Sequence, residues 1–298
     1  MKSFENFLIE KGISYAADES VAMRSSFKIG GRAALAVFPK TVDELCNAAL
    51  EAHRLGIKLE VIGNASNILF AFEKYNGVLI FTSGVDGYSL DGERIYAECG
   101  ASLVKTSNIA RDNSLSGLEF ACGIPARIGG AAVMNAGAHG SAMSDIIEYT
   151  DALDLESGER VRIYDNEYGY RKSVYLANSS LICLGASMRL TSGVQSEISA
   201  RMRENLDKRK GSQPIELPSA GSYFKRPEGD FAGRLIEECG LKGERVGGAE
   251  VSLKHAGFIV NVGGASFYDV LALEEKIKER VLSRFGVMLC REVRLIED

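Results

Sequence analysis

The sequence predicts an α+β protein built of three lobes, and three observations support this class. A strand–helix–strand unit comes first in the chain. From about residue 78, short strands separated by turn residues replace it. After a charged helical stretch at 195–213, longer helices and strands alternate to the end. We therefore expect lobes at 1–78, 79–205 and 206–298.

The first lobe contains a helix whose two ends are marked by the sequence. The segment ALAVF is predicted to be a short strand that ends at Pro39. Thr41 is the expected N-cap of the next helix, with Glu44 as its capping-box partner. The helix should run from 42 to 55 and stop at Gly56, since glycine adopts the left-handed conformation that ends many helices. The segment IKLEVIG then alternates apolar and polar residues, which predicts a strand.

The elements of the second and third lobes are predicted from the spacing of apolar residues and turns. Short strands are expected in GVLIFTS, RIYAECGA, EYTDALDLESGERVRIY and SSLICLGASMRLTS. In the third lobe we expect helices in DFAGRLIEECG and SFYDVLALEEKIKERVLSRFG, and strands in AGFIVNV and VMLCREVRLI. No internal repeat or low-complexity tract interrupts this order.

Composition and charge exclude several classes of protein. The 298 residues are 25% charged and 46% hydrophobic, as in ordinary soluble globular proteins. A net charge of -5 provides no basic surface for a polyanion, so nucleic-acid binding is not expected. The N-terminus lacks an apolar signal core, and no apolar run approaches the roughly 18 residues of a membrane span, so no membrane insertion is expected. The six cysteines are scattered, which predicts a reduced, cytoplasmic chain. The three histidines lie far apart, so no metal site is expected. We also expect the protein to be a monomer.

Two loops are rich in residues that expose backbone N–H groups. In GNASN, at 63–67, glycine and asparagine tolerate left-handed backbone and can form an anion nest. In GIPARIGGAAVMNAGAHG, at 123–140, the glycines let a ligand approach the main chain, and AAVMNAG is expected to open a helix whose N-terminus favours phosphate. Tight turns explain either loop alone equally well, but the two together favour a nucleotide-like cofactor. The residues predicted to bind it are Gly63, Asn64, Ala65, Ser66, Asn67, Gly123, Ile124, Pro125, Gly129, Gly130, Ala131, Asn135, Ala136 and Gly137.

The common nucleotide-binding fingerprints are missing from the sequence. No Gly-x-Gly occurs anywhere in the chain, and no G-x-x-x-x-G-K-[ST] occurs either. A Rossmann or P-loop enzyme is therefore not expected. A dinucleotide would have to bind through different loops.

Ser222, in SAGSYFKRPEG, fits four roles: a nucleophile, a phosphate ligand, a turn residue or an acid. A serine nucleophile needs a neighbouring base. The chain has no G-x-S-x-G elbow and only three histidines, so a hydrolase is weakly supported. The residue alone does not decide between the other roles.

Arg171, in EYGYRKSVY, and Glu292, in CREVRLI, are the other candidates for chemistry. The tyrosines around Arg171 predict a partly covered pocket wall, although a loop arginine paired with a carboxylate fits this segment as well. Glu292 is predicted to share one strand face with Met288, Cys290 and Arg294. There it is either solvated or paired with an arginine.

Five motifs in order resemble one enzyme family. The series GIPARIGGAAVMNAGAHG, YGYRKS, GSYFKRPEG, GGAEVSLKHAGFIVN and REVRLIE resembles the UDP-N-acetylenolpyruvoylglucosamine reductases of bacterial peptidoglycan synthesis, in particular their shorter type without an inserted tyrosine loop. The resemblance extends over nearly the whole chain. It implies a two-lobed FAD-binding fold of the vanillyl-alcohol-oxidase type, at 1–78 and 79–205. It also implies a C-terminal α+β substrate-binding domain at 206–298, whose last strand returns towards the FAD site.

The resemblance also implies a reaction and its participants. NADPH reduces FAD and leaves, and the enolpyruvyl sugar nucleotide then enters the same pocket and is reduced. Matching motif to motif makes Arg171, Ser222 and Glu292 the expected catalytic residues, with Ser222 as the proton donor. The residues expected to contact the substrate are Tyr170, Lys225, Arg226, Lys254 and His255, of which His255 fits a purely structural role equally well.

The sequence departs from this family in two loops, and two other functions stay open. GNASN stands where GGGSN is usual, which implies a less flexible pyrophosphate loop. Ala126 and Arg127 replace a pair of smaller residues, and Arg127 fits either a phosphate contact or an outward position. The alternatives are another FAD-dependent oxidoreductase of this fold, acting on a sugar or hydroxy acid, and a flavin- or nucleotide-sugar-binding protein without turnover.

Overall fold

The computed structural model describes the whole chain, Met1–Asp298, and divides it into two compact units. Each unit is assembled from three separate stretches of sequence. Unit 1 comprises Met1–Ala17, Leu35–Asn64 and Gly77–Lys208, and unit 2 comprises Asp18–Ala34, Ala65–Asn76 and Arg209–Asp298.

Eight α-helices and nineteen β-strands make up the two units. The helices are α1 Lys2–Glu10, α2 Val42–Arg54, α3 Leu103–Asp112, α4 Ile128–Val133, α5 Val174–Ala177, α6 Gln195–Ser212, α7 Ala232–Glu238 and α8 Phe267–Phe285. The strands are β1 Tyr15–Ser20, β2 Arg32–Val37, β3 Leu59–Ile62, β4 Ile68–Phe70, β5 Lys74–Phe81, β6 Tyr88–Asp91, β7 Arg94–Glu98, β8 Leu115–Ser116, β9 Gly137–Ala138, β10 Ser141–Ala142, β11 Ile147–Asp154, β12 Arg160–Ile163, β13 Leu181–Arg189, β14 Thr191–Ser192, β15 Ser219–Ser222, β16 Arg245–Val246, β17 Ala249–Val251, β18 Phe258–Asn261 and β19 Arg294–Ile296. None of the helices combines the length and the apolarity needed to cross a bilayer.

Unit 1 is built on a five-stranded antiparallel sheet in the order β12-β11-β13-β7-β6. Its central strand β13, LICLGASMR, is buried along its interior because α4 packs against it. Elsewhere in the unit, β3 pairs in parallel with β5, with Leu59 opposite Val78. The apolar face of α2, which includes Leu45 and Ala49, packs into a core shared with Val78.

The sequence prediction for α2 is confirmed at both ends. The Thr41 hydroxyl accepts the N–H of Glu44 at 3.1 Å, and Gly56 follows the C-cap residue with φ 63. The expected capping box is wrong in one detail. The Glu44 carboxylate accepts the N–H of Lys40 at 2.8 Å, one residue before the N-cap.

Unit 2 is built on a four-stranded antiparallel sheet in the order β15-β18-β17-β16, and α8 packs against β16, β17 and α7. A reciprocal capping box between Ser266 and Asp269 starts α8, and Gly286 ends it with φ 69. A second pairing completes the unit, because β19 lies parallel to β4 with Leu295 opposite Leu69.

The last strand is shorter than predicted. Of VMLCREVRLI, only Arg294–Ile296 forms a strand. The residues before it run beside the end of β15, where the N–H of Lys225 donates to Cys290 O and the N–H of Glu292 donates to Tyr223 O, both at 2.8 Å. Glu292 therefore lies outside the strand in which the sequence placed it.

Helices α1 and α3 were missed by the sequence analysis. The buried residues of α3 are Leu103, Thr106, Ser107 and Ala110. Apart from Leu103, the buried face of α3 carries only small and polar side chains, so few large apolar residues mark it as a helix.

Candidate active site

A β-bulge aims Ser222 away from the sheet of unit 2. Ser219 lies opposite Val260 and Ser222 opposite Phe258, so β15 carries one residue more than β18 over this span. Gly221 takes up the extra residue with φ 80, a conformation that favours glycine. Ser222 is exposed as a result, while the aromatic residues after it are buried.

Glu292 lies on the backbone segment next to Ser222. Its N–H donates to the carbonyl of Tyr223 at 2.8 Å, and its own carbonyl accepts the Asn67 side-chain amide at 3.3 Å. The Glu292 residue is half-buried. Unit 2 thus brings two of the predicted catalytic residues together and places a predicted cofactor residue beside one of them.

Hydrogen bonds connect the segment Ala65–Asn67 to β15, through Ser26, and to β19. Ser26 Oγ donates to Ser219 O at 2.7 Å and lies 3.2 Å from Ala65 O. The N–H of Arg294 donates to Asn67 O at 2.9 Å. Ser26 was not identified from the sequence, since an isolated serine in SFKIGG carries no recognisable signal.

The backbone of this loop fits an anionic ligand. Ala65 has φ 48 and so adopts the left-handed conformation expected of the glycine that it replaces. The N–H groups of Asn64, Ala65 and Ser66 donate no hydrogen bond to a protein acceptor. Such consecutive donors form the concave nest that receives a phosphate or pyrophosphate oxygen.

The start of the same loop meets the second predicted loop within unit 1. The Asn64 side-chain amide donates to Pro125 O at 2.8 Å. A Cβ on Gly63 would lie 3.3 Å from the Cβ of Arg127. The guanidinium of Arg127 donates to Gly100 O at 3.1 Å, so this side chain has a contact with the protein main chain.

The expected phosphate site at a helix N-terminus is wrong. Helix α4 begins at Ile128, ahead of AAVMNAG, and its first two N–H groups are already used. Ile128 donates to Ala101 O at 2.9 Å, and Gly129 donates to Cys99 O at 2.8 Å. These donors tie the helix to the end of β7 and are not available to a ligand.

The glycines of the second loop serve different purposes. A Cβ on Gly129 would lie 2.8 Å from Cys99 Cβ, and one on Gly137 would lie 2.7 Å from Ser141 O, so both glycines allow close packing within the protein. A Cβ on Gly130 would meet nothing within 4 Å. Gly130 is exposed and therefore leaves the main chain open to a flat ligand.

Arg171 occupies a two-residue turn in unit 1. Gly169 and Lys172 exchange two backbone hydrogen bonds of 3.2 Å, and Tyr170 and Arg171 lie between them. Arg171 has φ 52, which is unusual for a residue with a side chain. Its guanidinium donates to Asn135 O at 3.1 Å and lies 5.4 Å from the ring centre of Tyr170.

Asn135 is the anchor of that turn. Its side-chain amide donates to Gly169 O at 3.0 Å, and its side-chain oxygen accepts the N–H of Ser144 at 2.9 Å. The residue is buried and has φ 42, which asparagine tolerates. Asn135 was predicted to bind the cofactor, but its side chain contacts the protein and supports Arg171.

Of the residues predicted to contact substrate, Lys254 and His255 have contacts within the protein. Lys254 Nζ donates to Lys210 O at 2.6 Å. His255 Nδ1 accepts the N–H of Gly257 at 3.0 Å, and burial lowers the pKa of this histidine. A neutral, hydrogen-bonded imidazole supports the structural alternative considered for His255.

The remaining substrate candidates lie near the surface. Arg226 is exposed and stacks over the ring of Phe231 at 4.6 Å. Tyr170 is 58% exposed, so most of its ring can still be covered by a ligand. Lys225 follows the segment of Ser222 and is half-buried.

Comparison with known domains and proteins identifies what the chain resembles. Residues 33–164 match the FAD binding domain, and residues 213–296 match the C-terminal domain of UDP-N-acetylenolpyruvoylglucosamine reductase. The chain is 42% identical over 284 residues to UDP-N-acetylenolpyruvoylglucosamine reductase 2 of Bacillus anthracis, covering 94% of this chain and 92% of that protein.

Solved structures agree with these matches. The UDP-N-acetylenolpyruvylglucosamine reductase of Thermus caldophilus superposes with a TM-score of 0.80 at 33% identity, covering 96% of this chain and 99% of that chain. Berberine bridge enzyme of Eschscholzia californica superposes with a TM-score of 0.50 at 12% identity, covering 64% of this chain and 44% of that chain, a likeness of fold alone. The predicted FAD-binding α+β fold with its C-terminal domain is confirmed.

Proposed function

The chain belongs to the UDP-N-acetylenolpyruvoylglucosamine reductase family of FAD-binding oxidoreductases, and from that premise we propose that NADPH is its reductant. Its substrate is UDP-N-acetylglucosamine enolpyruvate, and its product is UDP-N-acetylmuramate for peptidoglycan synthesis. One observation carries the proposal. Ser222 is exposed at a bulge, Glu292 lies on the backbone segment that is hydrogen-bonded to Tyr223, and Asn67 of the GNASN loop donates to Glu292 O.

The substrate's own chemistry defines what the residues must do. Its carboxylate is conjugated with the vinyl group, so hydride added at the methylene carbon turns the rest into an enediolate. When bound, FAD supplies this hydride after its reduction by NADPH. Arg171 places a fixed positive charge towards the substrate carboxylate, where negative charge grows in the transition state. The bond from its guanidinium to Asn135 O holds that charge in a defined direction.

Ser222 supplies the proton that completes the reduction. The hydroxyl proton moves to the carbon that bears the ether oxygen. A serine hydroxyl is a weak acid, but an enediolate carbon is a strong base, so position matters more than acidity. Correct placement of a general acid contributes roughly 10²–10⁴ in rate. Lys225, three residues along the same segment, or a water molecule restores the proton to the hydroxyl.

Glu292 orients the Ser222 hydroxyl or the water molecule that returns a proton to the serine oxygen. An ionised carboxylate cannot stabilise an enediolate, so an orienting role suits its charge. Its neighbouring position to Ser222 supports this assignment. We also propose that Tyr170, Lys225, Arg226 and Lys254 contact the diphosphate or sugar, since lysine and arginine suit phosphate.

The domain roles follow from the same premise. We propose that 1–78 and 79–205 form the two FAD-binding lobes and that 206–298 binds the substrate. A cytoplasmic location and a monomeric state stay predictions.

The test separates the two half-reactions. We expect a yellow protein that NADPH bleaches without oxygen and that the enolpyruvyl substrate reoxidises. In Ser222→Ala, bleaching by NADPH should stay near the wild-type rate, whereas reoxidation by substrate should fall by roughly 10²–10⁴. Ser219→Ala removes another serine hydroxyl of β15, three positions before Ser222, and serves as the matched control, with both steps unchanged.

Three outcomes contradict parts of this proposal. A colourless protein that FAD cannot reconstitute refutes the bound flavin. If the enolpyruvyl substrate leaves the reduced protein bleached, but a sugar or hydroxy acid bleaches the oxidised, yellow protein, the chain is another oxidoreductase of this fold. Reoxidation at wild-type rate in Ser222→Ala excludes the serine as proton donor.

A further inference from the structure

Glu274 is a fully buried carboxylate on α8 of unit 2. It lies in the apolar stripe of the helix with Val270, Leu273 and Ile277, all of which are buried. A charged group in such surroundings is unfavourable unless partners compensate for the water it has lost. Its partners therefore indicate why it is there.

Three side chains surround this carboxylate. Oε2 accepts the hydroxyl of Tyr223 at 2.8 Å and the Nε–H of Arg291 at 2.7 Å, and Oε1 lies 2.6 Å from Lys278 Nζ. Burial raises the pKa of Glu274, but the hydrogen bonds from Arg291, Lys278 and Tyr223 outweigh it, so the pKa lies below the usual 4.5. The group is an anion at neutral pH.

Two of the three partners are chain neighbours of predicted catalytic residues. Tyr223 follows Ser222, and Arg291 precedes Glu292. A single oxygen of Glu274 therefore holds both backbone segments at once. The main chain joins them as well, through the 2.8 Å bond from the N–H of Glu292 to Tyr223 O.

We propose that Glu274 is a positioning residue that sets the placement of Ser222 relative to Glu292, an inference that rests on the proposed function of those two residues. The carboxylate is fully buried within the protein. It acts through the side chains of Tyr223 and Arg291, which both donate hydrogen bonds to it and belong to the two segments that carry Ser222 and Glu292. Misplacement of a reacting group by about 1 Å can slow a reaction roughly 10²-fold.

Glu250, on β17 of the same unit, provides a matched control. It is also buried and also pairs with an arginine, Arg245. Neither residue adjoins Ser222 or Glu292 in sequence. Glu250→Gln therefore removes a buried charge from unit 2 without touching the proposed positioning contact.

The experiment compares Glu274→Gln with Glu250→Gln in the FAD-bound protein. Glutamine keeps the size of the side chain and an acceptor oxygen but loses the charge. We expect Glu274→Gln to slow reoxidation by substrate by about 10–100-fold while bleaching by NADPH stays near the wild-type rate. Glu250→Gln should leave both steps unchanged. In a Ser222→Ala background, Glu274→Gln should cause little further loss, because the two residues act through one step.

A second measurement is independent of activity. The amide protons of Glu292 and Lys225 bond across the two segments, so their hydrogen exchange should be faster by about tenfold or more in Glu274→Gln and unchanged in Glu250→Gln. Tyr223→Phe, which removes one hydroxyl and keeps the buried ring, should shift both readouts in the same direction by a smaller factor. It serves in place of Glu274→Gln if that variant does not fold.

Reoxidation and amide exchange at wild-type values in these variants would overturn the positioning role. A loss that is fully additive with Ser222→Ala would also overturn it. If wild-type protein is not reoxidised by the enolpyruvyl substrate, the proposed function fails, and the exchange rates still decide whether Glu274 holds the two segments together.

Discussion

Two regions of the molecule each present a predicted catalytic residue, and they do so with opposite kinds of support. The turn of Arg171, in unit 1, is anchored by two uncharged side chains, since the Asn135 amide donates to Gly169 O and Ser173 Oγ donates to Val133 O at 2.6 Å. The paired segments of Ser222 and Glu292, in unit 2, are held from beneath by the ionised carboxylate of Glu274.

The difference follows from what each region has to hold. In unit 1 one turn must be fixed to the end of α4 and the residues that follow it, and hydrogen bonds from uncharged side chains to carbonyl groups make this connection. In unit 2 two segments must be fixed to each other and to a helix. A carboxylate can accept several hydrogen bonds at once, so one side chain joins all three. The gain in order comes with sensitivity to charge and to pH, which the neutral region lacks.

Removal of the charged support should have the largest effect on stability. Glu274→Leu leaves the Tyr223 hydroxyl and the Arg291 guanidinium without their acceptor, so we expect the free energy of unfolding to fall by about 3–5 kcal/mol. Urea unfolding followed by circular dichroism measures it. Replacing the set together, as Glu274→Leu with Arg291→Met and Tyr223→Phe, should restore most of the loss. A loss below about 1 kcal/mol in the single variant would show that the carboxylate is not a major support.

Removal of the neutral support should cost less. Asn135→Ala removes a buried side chain and leaves Gly169 O and the N–H of Ser144 without their partner at a partly buried site, which predicts a loss of about 1 kcal/mol in the same assay. Asn113 also bonds a backbone carbonyl, at 2.8 Å, but at the surface. Asn113→Ala should therefore change the free energy of unfolding by no more than about 0.5 kcal/mol. Equal losses in the two variants would remove the distinction between buried and exposed amides.

The two supports should respond differently to acid. The pKa of Glu274 is lowered in the folded protein, so its stabilisation is present above the unfolded value near 4.5 and disappears as the pH falls through the folded value. The charged groups that face it are Arg291 and Lys278, with the Tyr223 hydroxyl. The difference in unfolding free energy between wild type and Glu274→Gln should shrink below pH 4.5. The difference for Asn135→Ala should stay constant over that range, and a parallel decrease would contradict the comparison.

The smallest effect concerns a strained residue beside the charged region. Ala65 is buried with φ 48, so Ala65→Gly relieves about 1–2 kcal/mol of backbone strain. It also loses a buried methyl group and increases the freedom of the unfolded chain, by roughly 0.8 and 0.4–1 kcal/mol. We expect a net change within about 0.5 kcal/mol of zero. Ala49→Gly, at a buried position in the middle of α2, has no strain to relieve and should cost at least about 1 kcal/mol.

Local signals predicted the parts of the fold that depend on neighbouring residues. Thr41 and Gly56 mark the ends of α2 in the sequence, and the structure confirms both. The start of α4 was not predictable in this way. Its first N–H groups bond to Cys99 and Ala101, some 30 residues earlier in the chain, and no pattern around Ile128 records those partners.

The candidate site was predictable as a set of residues but not as an arrangement. Motifs singled out Ser222, Glu292 and Arg171, whereas the bulge at Gly221 and the left-handed turn depend on partners far away in the sequence. One signal was present and was not used. Glu274 is a charged residue in the apolar stripe of a predicted helix, and that pattern indicates a buried, paired carboxylate.

The parallel pairing of β4 with β19 has a consequence for folding during synthesis on the ribosome. The residues of β4 are made early, and their partner strand at 294–296 is made 226 residues later. At about 5–20 residues per second, the interval between them is roughly 10–45 s. Unit 1 has all of its sequence by residue 208, whereas the buried Ile68, Leu69 and Phe70 still wait for their partner. The nascent protein therefore carries an unpaired apolar strand edge until residues 294–296 have been made.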